Sequence, residues 1–78
     1  MDGETKDYYK IGQLVMSSNS YTLSLWSTPA LISTSESFPA NEIYEPGLAI
    51  VVDKYEYSYK IFVNEKLGWV DFWDIVEV

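Results

Sequence analysis

The chain has 78 residues with twelve acidic side chains against five lysines, a formal net charge of −7, and no histidine, cysteine or arginine. That inventory excludes disulfide staples, thiolate metal sites, imidazole base catalysis and guanidinium clamping of phosphate or carboxylate groups. Hydrophobic residues make up 47% and aromatic residues 17%, so the chain is a single globular domain that must bury an efficient core.

The opening "MDGETKD" has no periodicity and is expected to form a flexible lead-in over residues 1–7, with one domain spanning 8–78. It is acidic and polar where a secretory leader is basic and then apolar, and no apolar run approaches the ~20 residues that cross a bilayer. The absence of cysteine fits a reducing compartment. The expectation is a soluble, cytoplasmic protein without membrane contact.

"YKIGQLVMSS" sets a glycine before a β-prone run, and "SSNS" closes it with turn formers. "YTLSLWST" alternates, placing Leu23 and Leu25 on one face and Ser24 and Trp26 on the other, until Pro29 interrupts it. Residues 30–33 are a candidate for a further short strand segment. From 33 to 47 the chain carries two prolines and a glycine without helical spacing, and is read as a long loop anchored by Phe38 and Ile43.

Three strands follow. "LAIVV" is a continuous apolar run, "YKIFV" alternates with Tyr59, Ile61 and Val63 on one side, and "GWV" resumes after the turn "NEKLG". Gly68 is assigned to that turn. The expected core is Leu23, Leu25, Ile50, Val52, Ile61, Val63, Val70 and Ile75. In "DFWDI" the period of two breaks, which fits one 3₁₀ turn, with Asp71 or Asp74 as its cap, before a last strand "IVEV". The chain is all-β, with no amphipathic helix in it.

A strand, one helical turn and a last strand, carried by Gly68, Trp69, Val70, Ile75 and Val78 and preceded by "PGLAIVVD" and "YKIFV", resemble the closing segment of Src-homology-3-type barrels. Together with the opening "YKIGQLV", the pattern is similar to small barrel proteins encoded by marine tailed phages. The resemblance covers residues 9–16 and 46–78. It implies a small five-stranded, partly open SH3-like barrel with a long first loop and one 3₁₀ turn before the last strand. It also implies a location in the host cytoplasm or the virion. The peptide-binding branch of that family places proline and tyrosine in its closing turn and a tryptophan at the start of its third strand. Here the closing turn holds Asp71 and Asp74, and the third strand begins "SYKIF". Recognition of proline-rich peptides therefore does not carry over.

Catalysis is not expected: no serine has a lysine in a recognisable motif, and the four glycines build no phosphate loop. Asp71 and Asp74 lack the glycine-punctuated spacing of a calcium loop, so neither metal nor cofactor is expected. The five lysines are scattered among carboxylates, which disfavours direct nucleic-acid binding, and no small-molecule ligand is indicated.

What remains is aromatic. A small barrel cannot enclose every ring, so Trp69 and Phe72 are expected to cap its open end. Trp26 and Trp73, with Tyr55 and Tyr57 at the hairpin tip "DKYEYS", are expected to form an exposed surface for a protein partner or a second copy. The candidate binding residues are therefore Trp26, Tyr55, Tyr57, Trp69 and Trp73. The expected function is a non-enzymatic accessory protein that docks on a larger host or viral assembly. An oligomeric virion or tail component is the alternative, and an acidic decoy of a nucleic-acid-binding protein a third.

Overall fold

The computed structural model describes residues 7–29 and 39–78, with Pro39 and Ala40 described as backbone only. The proposed strand segment at 30–33, the Phe38 anchor and nearly all of the lead-in lie outside the described residues. The described residues form seven strands: β1 (Leu14–Ser17), β2 (Thr22–Trp26), β3 (Pro39–Tyr44), β4 (Ala49–Tyr55), β5 (Ser58–Val63), β6 (Lys66–Asp71) and β7 (Ile75–Glu77). A 3₁₀ turn, Phe72–Asp74, joins the last two. All belong to one antiparallel sheet in the order β3-β2-β6-β5-β4-β1-β7, curled into a half-barrel. No helix among the described residues is long and apolar enough to cross a membrane.

The expected all-β class and the 3₁₀ turn are present, but the described residues form seven strands, not five. The extra pairing comes from the stretch read as a long loop. Residues 39–44 form β3 on β2, with Leu23 opposite Ile43 and Leu25 opposite Asn41. Pro39 sits at the first position of that strand, where a missing N–H costs least, and a register shift beside Trp26 absorbs the irregularity. Ile43, expected to anchor a loop, is buried as a strand residue.

The core consists of Val15, Leu23, Leu25, Ile43, Ala49, Val51, Tyr59, Ile61, Val63, Val70 and Ile75. Six of the eight expected core residues are in it. Ile50 and Val52 are not: β4 points Ala49 and Val51 inward and leaves Ile50 and Val52 exposed. A run apolar on both sides carries no parity of its own. Its inner face is selected by the cross-strand pairs Ala49 with Val63, Val51 with Ile61 and Val15 with Ala49.

Gly68 likewise has a different role from the one its sequence neighbourhood suggests. The β5–β6 turn is made by Asn64 and Glu65, both at positive φ (51° and 65°), and Gly68 lies two residues inside β6. There β2 crosses so closely that a Cβ on Gly68 would collide with Leu25 Cβ and lie 3.2 Å from Leu25 Cα. Glycine is required by this approach of two strands rather than by a turn.

Candidate functional site

Aromatic side chains gather at one end of the half-barrel, where the β4–β5 hairpin, the 3₁₀ turn and the segment before β1 meet. The hairpin tip turns at Glu56, with φ at 56°, and leaves Tyr55 and Tyr57 exposed on either side. The Phe72 N–H donates to the Tyr57 carbonyl at 3.0 Å, which ties the tip to the 3₁₀ turn. Across this junction the rings pack in sequence. Tyr8 stacks on Phe72 with centroids 4.2 Å apart and planes 8° from parallel. Tyr57 leans on both, at 6.3 Å from Tyr8 and 6.0 Å from Phe72. Trp73 meets Phe72 edge-on at 4.8 Å. The Trp73–Phe72 contact has the favoured edge-to-face geometry of aromatic pairs, Tyr8 and Phe72 are stacked, and Tyr57 is tilted between the two arrangements.

Tyr8 is held there by the chain behind it. The Tyr8 and Tyr9 N–H groups both donate to the hydroxyl oxygen of fully buried Tyr59, at 2.9 and 3.2 Å. The Tyr9 hydroxyl donates to the Ile75 carbonyl at 2.8 Å, and its ring meets Tyr59 edge-on. Burial, followed by the nearby Tyr59 and Glu77, pushes the Tyr9 phenol above its ordinary pKa and keeps it a neutral donor. Asp7 adds an ion pair with Lys54 at 3.2 Å.

The turn carrying Trp73 is pinned at both ends. The Asp71 N–H donates to the Asp74 carboxylate at 3.0 Å, a capping arrangement across the single helical turn. Ser18 donates its N–H to the Asp74 carbonyl at 2.9 Å and its hydroxyl to the Trp73 carbonyl at 3.2 Å. Asp71 also accepts from the Ser58 hydroxyl at 3.3 Å. Partial burial and the neighbouring Asp74 raise the Asp71 pKa, with the Ser58 bond opposing them. The acid pair is thus engaged in holding the turn. Trp73 stands on this fixed base with 62% of its surface exposed.

The five sequence-indicated residues do not form one cluster. Tyr57 and Trp73 belong to the aromatic end, and Tyr55 stands at the hairpin beside it. Trp26 and Trp69 face each other across β2 and β6 on the outer side of the sheet, Trp26 exposed and Trp69 half-buried. Phe72, expected to cap the barrel end with Trp69, packs against the core and also contacts Tyr8 and Trp73, whereas Trp69 pairs with Trp26 across β2 and β6. Tyr8 is the member the sequence reading left out. The doubled tyrosine before β1 is its signal: the chain bends there, both N–H groups meet the Tyr59 hydroxyl, and the rings part, Tyr9 against Tyr59 and Tyr8 onto Phe72.

A shallow depression of about 300 Å³ lies between the β1–β2 turn, the outer side of β2 and the 3₁₀ turn. Ser18, Asn19, Ser24, Trp26 and Asp74 line it, but Ser18 and Asn19 already spend hydrogen bonds on the local backbone. No protein-family model matches this chain, and comparison with curated proteins and with solved structures finds no match.

Proposed function

We propose that this chain is a non-catalytic protein-binding accessory domain, built as an SH3-like small barrel, that docks on a larger host or viral protein assembly through its aromatic end. The observation that carries the reading is Trp73. It is a large ring, mostly exposed, whose backbone is tied to Ser18 and whose flank is set by Phe72. A rigid, solvent-facing tryptophan loses little conformational entropy on binding and is the residue type most often found at the energetic centre of an interface. Tyr57 and Tyr8 widen the surface beside it. Glu56, Asp71 and Asp74 adjoin these rings in the chain, so the approach favours a basic partner surface.

The SH3-like reading is supported by the consecutive neighbours β7-β1-β4-β5-β6 and by the 3₁₀ turn between β6 and β7. The β2–β3 hairpin is then an elaboration of the connection between β1 and β4.

The test is to isolate a partner by affinity capture, purify it, and measure its binding by calorimetry to the wild-type chain and to Trp73→Ala and Tyr57→Ala. Each variant is expected to weaken binding at least about tenfold, with Trp73→Ala nearer thirtyfold. Raising the salt is expected to change the wild-type affinity only modestly, because rings rather than ion pairs carry it. Unchanged affinity in both variants overturns the reading, and a steep loss with salt assigns the chain instead to acidic mimicry of nucleic acid.

A further inference from the structure

Over five adjacent strands the outward side of the sheet carries large apolar side chains. In register, Leu14 on β1 stands opposite Ile50 on β4, Ile50 opposite Phe62 on β5, and Phe62 opposite Leu67 on β6. At the other end Met16 on β1 stands opposite Val76 on β7. An apolar row therefore runs across five adjacent strands, and Leu48, Val52 and Val78 extend it. These nine side chains are 36–63% exposed. On an antiparallel sheet with one wet face the outward positions should be polar, whereas a strand such as β4, apolar at every position from Ala49 to Val52, is the pattern of a strand covered on both sides.

We infer that this face, Leu14, Met16, Ile50, Phe62, Leu67 and Val76, is the interface of a homodimer in which two copies pack sheet against sheet. Three observations select a second copy. The first is area: at roughly 150–200 Å² for a fully exposed large side chain, the nine residues offer about 600–800 Å², near the ~800 Å² each partner contributes to a stable interface. The second is charge. Away from the Asn64–Glu65 turn, the first charges met along the same face are Asp53 and Lys60, which stand directly opposite each other across β4 and β5. The acidic excess thus lies outside this row, so two copies bring no like charges face to face within it, and the row has no charge with which to select a different partner. A charge-depleted apolar centre is the composition of homodimer interfaces. The third is the row itself. It lies across the strands with large apolar residues throughout, so a twofold axis near Ile50 and Phe62 brings Leu14 of one copy over Leu67 of the other and the reverse, as an isologous contact requires. Sheets packed in this way lie about 10 Å apart.

This surface is separate from the aromatic end, so its test is independent of the docking reading. Sedimentation equilibrium of the full chain over a wide concentration range should show a monomer–dimer equilibrium. Phe62→Lys should weaken dimerisation at least about thirtyfold, as expected for a central interface residue, while bringing the net charge closer to zero, so that general repulsion cannot account for the loss. Leu67→Lys should do the same, with circular dichroism confirming that each variant is folded. Tyr44→Lys, an equally drastic change on the edge strand β3, should leave the dimer intact. On the wild-type chain, filtered nuclear Overhauser experiments between labelled and unlabelled copies should connect the methyl groups of Leu14, Ile50 and Leu67. A strictly monomeric wild type, a dimer indifferent to both lysine variants, or intermolecular contacts confined to other surfaces overturns the inference.

Discussion

At the scale of single residues, local chemistry decides what each position tolerates. Gly68 is the clearest case, because what excludes a side chain there is Leu25 on the crossing strand. Leu25 is fully buried and cannot swing away, so the added methyl must displace packed backbone. Gly68→Ala is expected to destabilise the fold by about 1–3 kcal/mol, measured by urea denaturation, as overpacked cores do. A value near zero would show that Leu25 gives way and that the strand crossing does not require glycine. Tyr59 shows the opposite kind of constraint. Its ring fills the core while its hydroxyl accepts two backbone N–H groups, so one side chain places both the core and the segment that carries Tyr8.

Among elements, the hairpins show where the chain departs from its best local choice. The β5–β6 turn places Asn64 and Glu65 both in the left-handed region. Asn64 suits it and also accepts the Gly47 N–H at 3.0 Å through its side chain. Glu65 has no such compensation in the turn geometry, and a two-residue turn of this kind favours glycine there. Glu65→Gly relieves about 1–2 kcal/mol of left-handed strain and gives back part of it in unfolded-chain entropy. A net stabilisation of about 0.5–1 kcal/mol is expected in urea melts, and a loss of stability would show that Glu65 makes contacts that outweigh its backbone. β3 teaches a related lesson. Nothing in "PANEIY" alternates strongly enough to announce a strand, yet β2 offers it a free edge and Ile43 a place in the core. Pairing creates the strand where propensity alone does not.

For the molecule as a whole, the balance of apolar surface is the controlling fact. Among the described residues, seventeen large hydrophobic side chains are exposed while the core holds eleven buried hydrophobic ones, which is an unfavourable ratio for so short a chain. Some of the excess is the aromatic end and much of the rest is the outer face of the sheet. Covering that face with a second copy adds the burial that a single small core lacks. Because dimerisation stabilises the folded state by mass action, the melting temperature is expected to rise with protein concentration. Each kcal/mol gained should move the midpoint by about 4–8 °C. A midpoint independent of concentration in calorimetric scans would count against association in the folded state.

Read alone, the sequence determined the all-β class, the 3₁₀ turn with its acidic cap, the hairpin at "DKYEYS", and the inward set Leu23, Leu25, Ile61, Val63, Val70 and Ile75. These follow from period-two alternation and from steric rules acting within a few residues. Tertiary structure alone decided that 39–44 is a strand, that β4 turns Ala49 and Val51 inward, that Gly68 serves a strand crossing, and that Tyr8 joins Tyr57, Phe72 and Trp73 while Trp26 and Trp69 stand apart. In each of these the deciding neighbour lies far along the chain, or both faces of the strand are apolar and alternation carries no signal, so the outcome belongs to cross-strand register.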